Sequence, residues 1–357
     1  MAKVKFGDVV KDVKINVDRT NNPYERYIAG DHMDSEDLTL RRWGHFATDD
    51  VGPAFIRIFK PGQVLYGSRR TYLKKVAVAH FEGITANTTF VLETKDDNIF
   101  AQRLLPFLML SENFTNYSIR KSKGSTNPYV LFSDLADYEF ELPSIEEQRV
   151  LADKLWAAYE LKEAYKKMIA ATDEMVKSQF IEMFGSGHWE QKCLGEVGTF
   201  KRGGGFQKSD YVECGIPCIH YGQIHTKFGP FIYSHISEIS SDLECKTKFA
   251  SKGDLIIAIT SEDTEGSCKS TAWLGDYPVA VGGHAAIFHH SMNPVYMSFF
   301  FKSVLFNHAK MEYIHGTKVC EIKPDDIAKI LVPCPPMSLQ EDFSEIAQQA
   351  DKSKYIN

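Results

Sequence analysis

The first half of this chain has no cysteine, since all seven cysteines lie between Cys193 and Cys334. An odd number confined to one half is a poor basis for a disulfide framework, so reduced thiols are expected. The sequence also lacks a hydrophobic run long enough to span a bilayer, and its first residues lack the apolar core of a signal peptide. A cytoplasmic protein with no membrane partner is therefore predicted.

Recognisable catalytic and cofactor-binding motifs are also missing. The segment Gly62–Ser68 has the glycine spacing of a phosphate-binding loop, but Ser68 and Arg69 stand where the lysine and the Ser/Thr should follow. Asn22-Pro23-Tyr24 and Asn127-Pro128-Tyr129 lack the second proline of an amino-methyltransferase signature, and asparagine–proline turns explain both. We therefore predict no catalytic residue and no cofactor.

Potential metal ligands occur without the spacing of a metal site. Cys214, Cys218, His220 and His225 are not followed by a second cysteine pair, and 216–219 has the composition of a strand edge. His284 and the adjacent histidines at 289 and 290 have no nucleophile or carboxylate at a recognisable spacing. Structural histidines and no metal centre are therefore predicted.

What the chain does contain is an internal repeat with a period of about 190 residues. Segment 60–65 resembles 251–256, and five landmarks return 192 positions later. A period of this length is too long for a solenoid and indicates two copies of one domain, at 1–143 and 186–336. The landmarks Gly124, Asp134, Leu135, Pro143 and Gln148 return as Gly316, Asp326, Ile327, Pro335 and Gln340.

A segment without glycine or proline, 144–184, separates the two copies. Ser144 and Glu147 form a capping box, and Gly185 follows the last residue, so one helix of roughly 60 Å is predicted as a spacer over 144–185. Its apolar residues repeat at three and four positions, which is typical of a coiled-coil seam. The predicted helix-pairing residues are Leu151, Leu155, Tyr165, Ile169, Val176 and Met183, with Phe343 and Ile346 on a shorter C-terminal helix over 337–357.

Between the helices, short runs rich in β-branched and aromatic residues alternate with turn residues. Examples are 76–79, 88–92 and 255–259. One amphipathic helix is expected in each copy, near 98–118 and 294–313, before the repeated glycine. The second long helix is expected to start with a cap at Ser338. The predicted class is α+β.

The charge distribution favours a nucleic-acid partner although the net charge of −6 does not. A 19-residue window, 57–75, contains six cations and no acid: Arg57, Lys60, Arg69, Arg70, Lys74 and Lys75. Loops in both copies combine glycine and cations with aromatic or polar side chains, which suits contacts with phosphates and base edges. The predicted DNA contacts are Arg69, Arg70, Tyr72, Lys74, Arg120, Lys121 and Lys123 in the first copy, and Lys201, Arg202, Lys208, Lys269 and Lys318 in the second.

In content and order, these features resemble the specificity subunit of type I restriction-modification systems. The most specific part is Leu142–Arg149 running into the long helix, with its echo at Val332–Gln340. A second part runs from Gly187-His188-Trp189 to Leu194-Gly195-Glu196. It continues through Lys201–Gly204, Gly215–Pro217 and Gly253–Ile256, and is similar to the opening of a target recognition domain.

The resemblance implies two strand-rich target recognition domains, each reading half of a split double-stranded DNA site. It implies that the long helix packs antiparallel with the shorter C-terminal helix and that the chain docks methyltransferase and restriction subunits without catalysing a reaction. The C-terminal helix covers only about half of the long one, which departs from the family. Truncation, design or completion by another chain would each explain this difference.

Two other functions remain open from the residues themselves. One is a scaffold whose duplicated domains bind proteins and whose basic loops are merely solvated. The other is a DNA methyltransferase or nuclease whose motif is not recognised.

Overall fold

The computed structural model describes residues 2–18, 21–185, 189–316 and 319–353. The chain forms two compact units, Met1–Tyr165 (unit 1) and Lys166–Asn357 (unit 2), and the division falls within one long helix. Each unit combines strands with short helices, which confirms the predicted α+β class.

Unit 1 contains two four-stranded sheets and a separate strand pair. The sheet orders are β2-β9-β6-β7 and β4-β3-β8-β5, and β1 pairs with β10; β3 and β8 run parallel, whereas the other pairs are antiparallel. The strands are β1 (Ala2–Lys5), β2 (Val10–Asp12), β3 (Arg26–Ile28), β4 (Gly44–His45), β5 (Phe55–Phe59), β6 (Val64–Gly67), β7 (Val76–Val78), β8 (Gly83–Ala86), β9 (Thr89–Thr94) and β10 (Glu139–Leu142). The helices are α1 (Phe6–Val9), α2 (Leu105–Leu110), α3 (Glu112–Lys121), α4 (Phe132–Ala136) and the long α5 (Ile145–Phe184).

Unit 2 repeats this plan with larger sheets. The sheet orders are β12-β22-β18-β20-β15 and β13-β16-β14-β21-β17, while β11 pairs with β24 and β19 pairs with β23. The strands are β11 (Gln191–Cys193), β12 (Gly198–Arg202), β13 (Tyr211–Val212), β14 (Ile216–Ile219), β15 (Phe231–Ile232), β16 (Ser237–Ile239), β17 (Lys248–Ala250), β18 (Leu255–Ala258), β19 (Thr260–Ser261), β20 (Ser270–Trp273), β21 (Val279–Val281), β22 (Ala285–His290), β23 (Cys320–Glu321) and β24 (Leu331–Pro333). The helices are α6 (Leu194–Val197), α7 (Tyr221–Thr226), α8 (Pro294–Phe300), α9 (Val304–Ala309), α10 (Pro324–Ile327) and α11 (Met337–Ser353).

The amphipathic helix expected in each copy is divided into two. In unit 1 the break between α2 and α3 falls at Ser111, whose hydroxyl accepts a hydrogen bond from the Phe114 amide (3.3 Å). In unit 2 the same role falls to Ser303, which caps α9 at the Phe306 amide (3.2 Å). A serine that satisfies a free amide favours a new helix start over continuation, and that competition explains the difference from the prediction.

Each unit has its own apolar core. In unit 1, strands β6 and β9 pack with Phe6, Leu105 and Phe114, all of them fully buried. In unit 2, β18 and β22 pack with α8, and Phe306 is fully buried in the same core. Burying a large apolar side chain contributes about 1.5–3 kcal/mol, so these cores dominate the stability of both units.

The long helix α5 begins with the predicted capping box. The Ser144 amide donates to Glu147 Oε2 (2.9 Å), and the Glu147 amide donates to Ser144 Oγ (3.3 Å). Charged residues recur along its length, and none of the helices in the described ranges has the length and apolarity needed to cross a membrane.

The two ends of α5 are buried and its middle is exposed. Ala152 and Leu155 pack in the core of unit 1, whereas Val176, Phe180 and Phe184 are buried in the core of unit 2. Phe180 and Phe184 were not predicted, although they follow Val176 at the four-residue spacing of one helix face. Of the predicted pairing residues, Leu155, Tyr165 and Met183 are half-buried, and Leu151 and Ile169 are exposed.

The C-terminal helix α11 packs on the last turns of α5, as predicted. The Phe343 ring lies 5.2 Å from Phe180 and 5.7 Å from Phe184. Ile346, the other predicted pairing residue, is 36% exposed. The helix begins at Met337, so Ser338 lies inside the first turn instead of capping it.

A buried glutamine gives the clearest structural proof of the repeat. In unit 1, Gln148 accepts a hydrogen bond from the Ala101 amide (2.9 Å) and donates to the Pro143 carbonyl (3.0 Å). In unit 2, Gln340 accepts from the Asn293 amide (2.9 Å) and donates to the Pro335 carbonyl (2.8 Å). All three positions return 192 residues later, so both copies use one clamp to attach a helix start to the body of the unit.

Four glycines with left-handed backbone angles also form two repeat pairs. Gly62 and Gly253 have φ of +86° and +96°, and Gly124 and Gly316 have φ of +89° and +98°. A side chain at such an angle is strained, so these positions require glycine in both copies.

The turn glycines give a paired test of stability. We expect Gly124→Ala to cost about 1–2 kcal/mol, because an L-residue is forced into the left-handed region. Gly316→Ala should cost more, since its Cβ would also lie 2.1 Å from the Val319 carbonyl oxygen, whereas a Cβ at Gly124 meets nothing closer than 3.9 Å. Denaturant unfolding of both variants checks this order, and equal losses would show that the Val319 contact relaxes freely.

Candidate nucleic-acid interface

Two loops of unit 1 meet and bring the predicted DNA-binding residues together. The segment that follows β6 contacts the segment that follows α3: the Arg70 amide donates to the Pro128 carbonyl (2.7 Å), and Thr71 Oγ1 lies 3.2 Å from Ser122 Oγ. Arg69 and Lys123 both form β-bridges with Tyr129. Arg69, Arg70 and Tyr72 therefore lie beside the segment that carries Arg120, Lys121 and Lys123.

Four exposed cations of this region are available for phosphate. Arg69, Arg70, Arg120 and Lys121 are exposed and form no ion pair within the described residues. Lys121 Nζ lies 5.5 Å from the centre of the Tyr117 ring. We call these four residues the cationic cluster.

Two predicted contacts, Lys74 and Lys123, are already paired with acids. Lys74 forms an ion pair with Glu36, and Lys123 Nζ lies 2.9 Å from Asp134 Oδ2. The hydrogen bond from Lys123 is the main cause that lowers the pKa of Asp134. A phosphate would have to compete with these carboxylates, so both lysines are weaker candidates than the cationic cluster.

The loop after β6 has an unusual backbone at two of its cations. Arg70 (φ +51°) and Lys74 (φ +48°) are left-handed and flank a short 3₁₀ helix, Thr71–Leu73. Each such residue costs of order 1 kcal/mol, and strained positions of this kind cluster at functional sites. The Glu36 amide donates to the Lys74 carbonyl (3.1 Å) and holds one end of the loop.

Arg57, from the same acid-free window, has a different role. Its side chain is 10% exposed and donates to Asp12 Oδ1 (2.8 Å) and to the Thr89 carbonyl (3.2 Å). Asp12 is 2% exposed, and its burial raises the pKa of its carboxyl group. Arg57 therefore compensates a buried charge inside the fold and does not belong to the surface.

This assignment predicts that Arg57→Ala acts on stability. Removing Arg57 leaves the charge of Asp12 unpaired in the interior, so we expect a loss of about 3–5 kcal/mol in the free energy of unfolding. Lys60→Ala, an exposed cation of the same window, should change it by less than about 0.5 kcal/mol. An Arg57→Ala protein that kept its stability and lost DNA affinity would instead place Arg57 at the interface.

In unit 2 the predicted contacts are more dispersed. Lys201 and Arg202 end β12, and their side chains point to opposite faces because successive strand residues alternate. Arg202 donates from Nε to the Gly283 carbonyl (2.9 Å) and lies 3.4 Å from Glu321. Lys269 is exposed on another loop, and no hydrogen bond in the described part of unit 2 links it to Arg202.

Two of the predicted contacts cannot be placed on this surface. Lys318 lies outside the described residues, as does His188 of the family resemblance. Lys208 belongs to a 3₁₀ helix, Lys208–Asp210, and its side chain is not among those described.

Two of the three glycines after β12 are needed for close backbone packing inside unit 2, and not for contact of the backbone with a phosphate. A Cβ on Gly203 would lie 2.3 Å from the Gly282 carbonyl oxygen, and one on Gly204 would lie 2.7 Å from that of Lys246. Both glycines thus allow the chain to pass close to its own backbone. Gly205 alone of the three has no atom within 4 Å of such a Cβ.

Sequence reasoning missed a polar surface of unit 2 around Thr260. His284 Nδ1 lies 3.3 Å from Thr260 Oγ1, and His225 Nε2 lies 3.1 Å from the Thr260 carbonyl oxygen. The Tyr221 ring lies 5.1 Å from His284 and 5.9 Å from His225. These residues come from three separate segments, and the one signal in the sequence was the exposed histidine after Gly282-Gly283.

Several of the other histidines and cysteines considered as ligands have structural contacts, whereas Cys214 is exposed. His220 accepts a hydrogen bond from the Gly222 amide (3.1 Å) at the start of α7, and Cys218 is buried 3.4 Å from Ser237 Oγ. His289 has a carboxylate partner that its sequence spacing did not reveal, Asp254, at 2.6 Å. Burial lowers the pKa of His290 to about 4, so this ring is neutral near pH 7. No group of three or more His, Cys, Asp or Glu side chains in the described ranges is arranged to hold a metal ion.

Comparison with known proteins shows which proteins this chain is similar to. Residues 56–170 match the type I restriction modification DNA specificity domain. The type I restriction enzyme EcoDI specificity subunit of Escherichia coli is 24% identical over 165 residues, which is 46% of this chain and 35% of that protein. The MjaVIII specificity subunit of Methanocaldococcus jannaschii is 22% identical over 293 residues, covering 76% of this chain and 68% of that one. In sequence the chain is therefore similar to type I specificity subunits, and the DNA specificity domain matches about a third of it.

The match with the first of these relatives spans about a third of that relative's length. Solved structures of the same family share the fold. A type I restriction-modification S subunit from M. genitalium has a TM-score of 0.59 at 13% identity, and the two matched regions cover 99% of this chain and 90% of that one. A structure from a study of complex assembly in a type I system has a TM-score of 0.55 at 20% identity, covering 99% and 91%. These likenesses extend over both units and confirm the fold expected from the sequence.

Proposed function

We propose that this chain is the DNA-reading subunit of a type I restriction-modification complex. It recognises a bipartite double-stranded DNA site, docks methyltransferase and restriction subunits in the cytoplasm, and catalyses no reaction itself. In this proposal 1–143 and 186–336 are the two target recognition domains. Residues 144–185 form the spacer helix and 337–357 the C-terminal helix.

The observation that carries the proposal is the cationic cluster of unit 1. Arg69 and Arg70 lie on the loop after β6, and Arg120 and Lys121 are the last two residues of α3. The loop after β6 is fixed by backbone contacts to the segment that follows α3. Two exposed tyrosines, Tyr72 (53%) and Tyr129 (41%), lie on the same loops. Arginine and lysine neutralise phosphates, and tyrosine hydroxyls donate to them, so the surface matches the chemistry of a DNA backbone.

The duplication supports recognition of two half-sites. Both units contain the glutamine clamp and the same pair of left-handed turn glycines. A duplicated frame provides two equivalent surfaces, and two surfaces on one chain can contact two segments of one duplex.

The exposed middle of α5 supports docking of partner subunits. Leu161 (55%), Met168 (48%), Ile169 (36%) and Met175 (54%) expose apolar side chains along this helix. Apolar residues repeated along an exposed helix are typical of a surface that another protein covers. The predicted pairing residue Ile169 is part of this exposed set, and Leu151, nearer the start of α5, is also exposed (43%).

The salt dependence of DNA binding tests the proposal. The chain, assembled with its methyltransferase subunit, should bind duplex DNA with an affinity that falls steeply as salt rises. The double variant Arg70→Ala with Lys121→Ala should lower the logarithmic salt slope by about 2, because two phosphate contacts are lost. Lys3→Ala with Lys60→Ala removes the same charge from exposed positions outside the cluster and should leave the slope nearly unchanged.

Two outcomes would contradict the proposal. DNA binding of the native complex that does not change with salt would favour the protein-binding scaffold. Methyl transfer by the chain alone, in the presence of a labelled methyl donor and DNA, would overturn its non-catalytic role.

A further inference from the structure

The cationic loops of unit 1 rest on a small backbone frame. The Ser68 amide donates to the Thr88 carbonyl (3.2 Å), and the Val130 amide donates to the Ser68 carbonyl (2.9 Å). Lys123 and Tyr129 exchange two backbone hydrogen bonds (2.7 and 2.9 Å) across the turn made by Gly124. The frame thus joins three segments of the chain, at Ser68, at Thr88 and at 123–130.

Unit 2 contains the same frame, bond for bond. The Ile259 amide donates to the His284 carbonyl (3.1 Å), and the Ile322 amide donates to the Ile259 carbonyl (3.1 Å). His315 and Glu321 exchange two backbone hydrogen bonds (2.9 Å each) across the turn made by Gly316. The next residue along the chain also pairs in the same way in both units. Arg69, which follows Ser68, forms a β-bridge with Tyr129, and Thr260, which follows Ile259, pairs with Glu321.

Side chains on these matched frames differ completely. We define the rim of each unit as four positions on this frame, given below in matching order. The two residues at each matched position differ in charge or in hydrogen-bonding capacity. The rim of unit 1 is Arg69, Thr88, Lys123 and Tyr129, and the rim of unit 2 is Thr260, His284, His315 and Glu321.

Positions that fix the frame behave in the opposite way. The turn glycines Gly124 and Gly316 and the clamp glutamines Gln148 and Gln340 are the same residue in both copies. Within one molecule, the backbone is therefore kept while the side chains it presents are changed. A rigid frame with interchangeable side chains is the arrangement that a recognition surface needs, because specificity can vary without loss of the fold.

The rim of unit 2 is built around a carboxylate. Glu321 is 46% exposed in its side chain and is held by Arg202, while Thr260 beside it contacts His284 and His225. A carboxylate repels phosphate but accepts hydrogen bonds from the exocyclic amine of cytosine in the major groove. Glu321 therefore fits a base edge and not the DNA backbone.

The loop next to this rim is also less suited to phosphate than its counterpart. The connection between β18 and β20 has eleven residues, 259–269, against eight, 68–75, in unit 1, and it carries Glu262, Asp263 and Glu265. Lys310 is 2% exposed and fixes this loop by donating to the Glu265 (3.2 Å) and Ser267 (2.7 Å) carbonyls. The loop is thus held in place with its acids exposed.

We propose that the two rims are the specificity-determining surfaces of the two units, an inference that depends on the proposed function. In the rim of unit 1, Arg69 contacts an acceptor-rich base edge such as that of guanine. The other members of the cationic cluster, Arg70, Arg120 and Lys121, contact phosphates. The rim of unit 2 reads an amine-bearing base of the other half-site through Glu321, with His284 beside it.

Selection from a randomised duplex library tests this assignment on the chain assembled with its methyltransferase subunit. The native complex should select a bipartite sequence. Glu321→Ala should lose discrimination at one base pair of one half-site by about 5- to 150-fold, the range of a good side-chain–base contact. Glu321→Gln, which has nearly the same shape, should shift the preference there from cytosine towards adenine, since an amide pairs with the N6 and N7 edge of adenine.

Two matched variants complete the design. Arg69→Ala should change the bases selected in the other half-site. It should leave unchanged the bases selected in the half-site that the Glu321 variants affect. Asp276→Asn is the control for unit 2. Asp276 lies three residues after Trp273, the last residue of β20, and Leu255 pairs with Ala272 at this end of β18 and β20. The rim lies beyond the other end of this strand pair. It should leave both half-sites unchanged.

The outcomes separate the two levels of the proposal. If the native complex selects a bipartite sequence and both Glu321 variants select the same one, the rim assignment is wrong and the proposed function stands. If Glu321→Gln changes both half-sites, the assignment of one rim to each half-site is wrong. A native complex that selects no bipartite sequence overturns both the rim and the proposed function.

Discussion

A chain reversal at a left-handed glycine is the constraint on which each recognition surface depends. Gly124 and Gly316 turn the backbone so that the residues on either side pair through two hydrogen bonds, and that pair then accepts the loop after β6 or β18. The turn brings a segment near the end of each copy against one from its middle. Without this turn, neither the cations of unit 1 nor the carboxylate of unit 2 would have the backbone frame that holds them in place.

The units share this frame but differ in electrostatics. Unit 1 presents cations without acidic partners, whereas unit 2 presents histidines, a threonine and a glutamate that is held by Arg202. The overall charge of −6 does not show the difference, because acids elsewhere in unit 1 offset its cationic cluster. Duplication followed by change at the exposed positions explains how two units with one fold present different surfaces.

The sequence predicted the features that depend on residue type and on short-range spacing. The repeat, the capping box at Ser144 and the α+β class followed from spacing and residue type. The burial of Arg57 did not, because its partner Asp12 lies 45 positions away and charge patterns do not reveal distant pairs. Phe180 and Phe184 were missed because a three-and-four repeat fits more than one helix face, and tertiary packing selected theirs. The rim of unit 2 was missed because its residues come from separate segments that only the fold brings together.

Photo-crosslinking from the rims tests the central claim most directly. Benzoylphenylalanine is placed at position 129 or position 321, and the chain is assembled with its methyltransferase subunit on the duplex that the native complex selects. We predict that position 129 crosslinks to one half-site and position 321 to the other, with no crosslink from position 276. Crosslinks from both rim positions to the same half-site, or from position 276 alone, would contradict the assignment of one rim to each half of the DNA site.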